Sequence, residues 1–303
     1  MDRIEIVDYS DWLPYEGFSA GSGRSEKQWL QSEKGEIGLF KYPKSNPETN
    51  EVTTEYVSEH LAHRIGELIG VETALVEIGT YKGRIGCMSY CINKSNEAII
   101  EGATFITRKH PDFDLNLMQE TSSGRYYCFD HFLEINEDTQ LVNRWIQMML
   151  FDYIIGNSDR HQNNWAFLFK YADERRKDLL YRVCPLYDNG SSLCSYVTES
   201  EVKALLGKDQ NRFEALVDRQ SKSMIRIDGL NKKRPPHLEV VRYLVGRYPE
   251  ATYFSDVIIK KMTPNVINEL LDSYRGIVTD GKIELIKRFL VRKIQMLNDI
   301  VKV

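Results

Sequence analysis

Residues 145–168 read WIQMMLFDYIIGNSDRHQNNWAFL. A strongly apolar run ends at Gly156. A polar run from Asn157 to Gln162 follows, with Asn163 and Asn164 behind it, and Trp165 to Phe169 is apolar again. The pattern is two buried elements clamping a polar loop. Burying Asp159, Arg160, His161 and Asn164 costs several kcal/mol unless each is paired, so folding alone does not select them for a short turn. An acid followed five residues later by Asn suits a loop that orients a hydroxyl and holds a divalent metal. The carboxylate accepts the hydroxyl's hydrogen bond, and the amide oxygen is a neutral hard ligand. A polar turn closed by Asx hydrogen bonds is the competing reading.

A second segment weighs against that bland alternative. Residues 184–191 read CPLYDNGS, so Asp188 follows a short apolar run and precedes Asn-Gly. A carboxylate at a strand end, released by a flexible turn, is placed to hold magnesium against phosphates, although an ordinary Asp-Asn-Gly turn has the same sequence.

Together, Asn157-Ser158-Asp159-Arg160-His161-Gln162-Asn163-Asn164 and Asp188 resemble the HipA-like branch of the protein kinase superfamily, whose catalytic loop has the form N-x-D-R-H-x-x-N. The general kinase pattern is an Asp base, an Asn five residues on, and the metal-binding Asp of DFG. The resemblance implies Asp159 as the base, Asn164 as a metal ligand and Asp188 as the DFG aspartate. Asn189 stands where DFG has Phe, a departure usual in this branch, so the Phe-based switch of ordinary kinases does not transfer. The implied fold is α+β and two-lobed, protein-kinase-like, with a small β-rich N-lobe over residues 1–93 and a mainly helical C-lobe over 94–303. The implied cofactors are ATP and Mg2+.

Working toward the N-terminus, residues 19–27 read SAGSGRSEK. Backbone amides of such a loop can cradle phosphate oxygens, and Arg24 or Lys27 can add charge. The stretch is neither a Walker A nor a GxGxxG motif, and a surface loop is the alternative. HipA-like proteins have a mobile loop here, some with an inhibitory autophosphorylation serine. The resemblance therefore makes Gly21, Ser22, Gly23 and Lys27 candidates for phosphate binding, with Ser22 or Ser25 as the modifiable serine. EIGLFK (36–41) reads as a strand with Ile37, Leu39 and Lys41 on one face. Lys41 resembles the kinase lysine that binds the α and β phosphates. Residues 54–69 form an amphipathic helix, with Val57, Leu61, Ile65 and Leu68 recurring at three and four. Its Glu55 and Glu59 lie one turn apart. Glu55 is the preferred partner of Lys41, because the family's glutamate stands six residues before a Leu-Ala pair; Glu59 is the alternative. His60 and His63 read as surface or cap histidines. Strands are expected over 71–78 and 83–92, with residues 88–93 as the hinge that meets adenine.

Toward the C-terminus, residues 95–140 are the least patterned, with a helix expected near 126–133. Residues 141–155 are a buried helix, 182–187 a strand, and 170–177 (KYADERRK) a charged hairpin tip. NKKRPP (231–236) is a local basic stretch, open to phosphate, RNA or an acidic partner, or simply solvated. From His237 onward four helical patterns read as scaffold.

The 303 residues suffice for one large domain or two lobes. A 42% hydrophobic and 28% charged composition is that of a soluble globular protein. The formal charge of -4 gives no global attraction to nucleic acid or anionic membrane, so direct nucleic-acid binding is disfavoured. No apolar run approaches the roughly 20 residues of a membrane span, and residues 1–18 lack the pattern of a secretory signal. The five scattered cysteines fit free thiols of the cytoplasm better than a zinc site. The reading is thus an ATP- and Mg-dependent protein serine/threonine kinase acting on a hydroxyl. Its rivals are a small-molecule or lipid kinase of related fold and a non-catalytic nucleotide-binding toxin–antitoxin module. Family members act as toxins beside a small antitoxin, so a separate antitoxin is compatible with the resemblance without being implied by it.

Overall fold

Alternation in 37–41 is the simplest entry to the architecture. In a computed structural model describing residues 3–18, 26–45, 51–135, 139–170 and 180–302, this stretch is a strand that buries Gly38 and Phe40 and leaves Ile37, Leu39 and Lys41 half-buried on the opposite face. The chain divides into two compact units. The first comprises residues 1–92, 188–213 and 262–291, and the second residues 93–187, 214–261 and 292–303.

The first unit is built on a six-stranded sheet. Its strands are β1 (Val7–Asp8), β2 (Leu13–Pro14), β3 (Lys27–Gln31), β4 (Ile37–Lys41), β5 (Val76–Tyr81) and β6 (Arg84–Tyr90), in the order β1-β5-β6-β4-β3-β2. β1 runs parallel to β5, and every other pairing is antiparallel. Tyr9, Leu30, Phe40, Tyr42, Tyr81 and Met88 form a core on one face of this sheet. A Cβ added at Gly86 would fall 2.4 Å from the Lys41 carbonyl oxygen, so only glycine lets β6 approach β4 this closely. Between β4 and β5 lies helix α1 (Glu55–Ile69), which ends at Gly70 with φ 84°. The Gly70 and Val71 amides both donate to the Gly66 carbonyl. That helix termination holds Val71 out of the strand expected from residue 71, which begins at Val76 instead.

Residues 188–213 and 262–291 belong to this first unit, whereas sequence order had grouped them with the second half of the chain. Long-range bonds explain the membership. Ser58 Oγ donates to the Ser192 carbonyl at 3.0 Å, the Thr54 amide donates to the Ser195 carbonyl at 3.1 Å, and the buried Lys282 ammonium donates to the carbonyls of Cys194 and Val197. His60, expected at the surface, is also buried, its Nδ1 2.8 Å from the Tyr274 hydroxyl. The apolar stripe of α1 is wide enough to cover it.

The second unit carries a three-stranded antiparallel sheet of β7 (Glu97–Glu101), β10 (Ala166–Lys170) and β11 (Leu180–Val183), in the order β11-β10-β7. Helices α2 (Gly102–Lys109), α3 (Phe129–Ile135) and α4 (Thr139–Ile155) and the two-residue strands β8 (Phe113–Asp114) and β9 (Gln119–Glu120) lie between β7 and β10 in sequence. Trp145, Phe132, Trp165 and Phe167 meet in edge-on and tilted contacts with centroids 4.9–6.2 Å apart. α4 also packs on the helices His237–Arg247 and Pro249–Lys261. The strand expected over 182–187 is displaced to 180–183, because the Cys184 amide makes the last sheet bond, to the Ala166 carbonyl, and Pro185 has no donor to continue it. The helix expected near residue 126 starts at Phe129. Of the charged stretch 170–177, all but Lys170 lies outside the described residues. No helix among the described residues is long and apolar enough to cross a membrane.

Burial, helped by the neighbouring Arg64 and His63, holds the His60 pKa down at about 3. An unfolded histidine titrates at about 6.5, so below that pH the unfolded chain binds the proton that the folded chain refuses. Stability is therefore lost as pH falls, by up to about 1.4 kcal/mol per pH unit from this residue. Denaturant unfolding between pH 7 and 5 is expected to show a shallower acid slope in His60→Gln than in the wild type. Equal slopes would overturn the assignment.

Candidate active site

In the first unit, the end of β4 brings Lys41 opposite Lys27 on β3 and Cys87 on β6. The Lys41 ammonium is 2.6 Å from Glu59 Oε1 and 2.9 Å from Asp188 Oδ1. Burial pulls the lysine pKa down, but Asp188 and Glu59 together outweigh it, and the net shift is upward. Lys41 is thus a held cation. Burial, with Glu59 adding to it, pushes the nearby Cys87 thiol up, out of the range of a reactive thiolate.

The partner of Lys41 on α1 is Glu59 and not Glu55. Glu59 is buried, and its second oxygen accepts the Asn189 amide at 2.9 Å. Glu55 instead takes Lys44 Nζ at 3.0 Å, the Tyr196 hydroxyl at 2.6 Å and Thr53 Oγ1 at 2.9 Å. The two acids face the same way, as their spacing implied, but Glu55 lies one turn closer to the helix start and meets the chain after β4. Asp188 has φ +57°, in the left-handed region, and its side chain is half-exposed. From Asn189 to Tyr196 the chain is fastened to α1 at Glu59, Ser58, Thr54 and Glu55. Gly21, Ser22 and Gly23 lie outside the described residues. Lys27 is described and half-buried in β3.

In the second unit, the polar loop after α4 is held by one buried ion pair. Asp152, on the last turns of α4, takes Arg160 Nη2 at 2.8 Å and Nε at 3.0 Å. The same carboxylate accepts the Asn157 side-chain amide at 3.1 Å. Arg160 Nη1 then donates to the carbonyls of Asn164 and Tyr187, both at 2.8 Å. The Asp159 amide donates to Asn157 Oδ1, and Asn164 Nδ2 donates to the Asp159 carbonyl at 2.7 Å. Gln162 Nε2 ties the loop to the Leu115 carbonyl, and Arg234 Nη2 donates to the Ser158 carbonyl at 2.7 Å. The loop backbone is thereby fixed around a half-buried Asp159.

Asp152 and Arg234 were not anticipated as parts of the site. Asp152 carried a signal: it is the lone acid in MMLFDYII, and an acid in a buried helix needs a partner. Arg234 carried only its place in NKKRPP.

Each unit carries hard oxygen donors of the kind a divalent cation takes: in the first, Asp188 offers a carboxylate; in the second, Asn164, with its nitrogen committed to the Asp159 carbonyl, offers an amide oxygen. The charged Lys41 fits phosphate oxygens.

No protein-family profile matches the sequence, and no curated protein matches it. Among solved structures, the Helicobacter pylori proinflammatory kinase CtkA is similar to this chain in fold, with a TM-score of 0.79 at 17% identity over 98% of this chain and 99% of that one. The HipA of Shewanella oneidensis MR-1, solved with HipB and operator DNA as a toxin–antitoxin system, matches with a TM-score of 0.59 at 12% identity over 96% of this chain and 70% of that one. The chain shares the α+β fold of these two proteins.

The two helix acids are separable by stability. Glu59→Gln removes a buried charge that bonds both Lys41 and the Asn189 amide, and is expected to cost about 1–3 kcal/mol. Glu55→Gln alters a pair whose lysine is exposed, and is expected to cost about 0–1 kcal/mol. Equal shifts in denaturation midpoint at unchanged m-value would contradict this division of roles.

Proposed function

We propose that the chain is an ATP- and Mg-dependent phosphotransferase, a HipA-like protein serine/threonine kinase that moves the γ-phosphoryl group to a hydroxyl. The observation that carries the reading is Lys41 held between Glu59 and Asp188. A strand lysine paired with a helix glutamate, with an aspartate for metal, is the arrangement on which kinase phosphoryl transfer depends. The likeness in fold to CtkA and HipA supports it.

In this reading Lys41 holds the α and β phosphates, and Glu59 keeps its ammonium aimed and charged. Asp188 and Asn164 would hold Mg2+, which supplies neutralisation of charge developing on the phosphates. Asp159 accepts the acceptor hydroxyl's proton as its oxygen bonds to phosphorus and the bond to the ADP oxygen breaks. Arg160 and Asp152 hold the loop that presents Asp159. Phosphate contacts from Gly21, Ser22, Gly23 and Lys27 are part of the same proposal, and the site belongs to a cytoplasmic enzyme. The Shewanella complex, in which HipA is accompanied by HipB, supports a separate antitoxin as a partner to look for.

Asp159→Asn is the deciding variant. It is nearly isosteric and removes the base while leaving the loop's backbone bonds. Single-turnover transfer at saturating MgATP is expected to fall by about 10²- to 10⁴-fold, with nucleotide affinity and melting temperature nearly unchanged. A variant that melts early yet transfers at the wild-type rate would refute the mechanism.

A further inference from the structure

Residues 222–234 read KSMIRIDGLNKKR and carry five cationic side chains, Lys222, Arg226, Lys232, Lys233 and Arg234, against one acid, Asp228. The chain as a whole has a formal charge of -4, so this concentration is local. The structure fastens it to the polar loop. One nitrogen of Arg234, Nη2, donates both to the Ser158 carbonyl at 2.7 Å and to the Lys222 carbonyl at 2.9 Å. A shared donor of this kind brings the Lys222 backbone beside the residue that precedes Asp159. Arg234 Nε donates to the Ser223 carbonyl, and Arg226 reaches the Lys232 carbonyl at 3.0 Å while lying over the Tyr126 ring. Both guanidinium groups are therefore spent on carbonyls. Among the described residues, no carboxylate hydrogen-bonds either of them, and Arg234 feels the charge of the Asp159 carboxylate nearby. Lys222, Lys232 and Lys233 are exposed and make no ion pair among the described residues. Asp228 is exposed and is the one acid of the stretch, its Oδ1 accepting the Leu230 amide.

We propose that residues 222–234 form the acceptor-docking surface, and that the acceptor is a protein segment whose serine or threonine is flanked by acidic residues. This rests on the kinase reading and adds the substrate class. The three exposed lysines, in the stretch that Arg234 ties to the Ser158 carbonyl next to the base, attract carboxylates toward the place where the hydroxyl must arrive, which favours encounter and register. A peptide is favoured over RNA by the side chains between the cations. The stretch contains no aromatic residue on which a base could stack, and Tyr126 is covered by Arg226. It does present Leu230, 75% exposed, as an apolar contact for a peptide side chain.

The test uses the full chain, a fluorescent peptide with one serine among Asp and Glu, and its analogue with Asn and Gln in their place. Anisotropy is expected to show about tenfold tighter binding of the acidic peptide, a preference that shrinks as salt rises. Lys232→Glu/Lys233→Glu is expected to abolish the preference while leaving ATP hydrolysis in the absence of peptide unchanged. Lys222→Glu, on the other strand of the loop, should act in the same direction. Both variants alter exposed side chains, and melting curves verify that they fold. Equal affinity for the two peptides, or a preference that survives charge reversal, would overturn the proposal. So would tighter binding of poly(U) than of the acidic peptide, lost in the same variants, which would make the surface an RNA site. Failure of the kinase reading shows separately, as absence of any MgATP turnover in the wild type, and the anisotropy result still decides what the surface binds.

Discussion

A guanidinium that is 1% exposed organises the second unit. Arg160 is paired with Asp152 on α4 and spends its remaining nitrogen on the carbonyls of Asn164 and Tyr187. Taking these two charges out of water is costly, and a buried pair of this kind is weak evidence for stability as such. What it confers is position. A loop of eight polar residues has many alternative hydrogen-bonded states, and a fully satisfied buried pair selects one of them. Burial pushes the Asp152 carboxyl up, while Arg160 and Asn157 oppose that shift. The charge on Asp152 therefore depends on the arginine being where it is. Asp159 acquires its setting because the residues around it are immobilised by bonds in which its own carboxylate need take no part.

The first unit solves the complementary problem with the opposite balance. Lys41 is a half-buried cation with two anions, and its proton is held tightly. The excess acid makes this a poor arrangement for stability and a prepared one for ligand: an incoming anion competes for an ammonium that is already charged and already aimed. The chain from Asn189 to Tyr196 runs along α1 and bonds it at successive points. The helix carrying Glu59 and the segment following Asp188 therefore form one mechanical piece.

The parts of the site legible in the sequence are those whose chemistry demands local spacing. Asp159 and Asn164 are five residues apart in one loop, and Asp188 stands before Asn-Gly; no tertiary information is needed to notice them. The choice between Glu55 and Glu59 was not legible. Both satisfy the helical period, and which one meets Lys41 depends on how α1 is seated on β5 and β6, a matter of packing. His60 was misread for a related reason: polarity suggested the surface, while the Tyr274 hydroxyl supplied the partner that makes burial tolerable. Membership of residues 188–213 in the first unit depends on bonds to carbonyls more than 130 positions away, such as Ser58 to Ser192. Such bonds leave no periodic trace.

The backbone at Asp188 has a consequence for how this position can vary. With φ at +57°, it admits glycine freely, asparagine and aspartate at modest cost, and most other residues only with strain. Stereochemistry thus favours these three types before any question of chemistry arises, although Lys82, Met118, Leu193 and Cys194 adopt the same region elsewhere in the chain. Of those three, only one carries a charge to set against Lys41. Two independent filters, one of shape and one of charge, converge on a single residue type. Drift at this position toward glycine or asparagine would preserve the turn and extinguish the charge, so such losses would be silent in the fold.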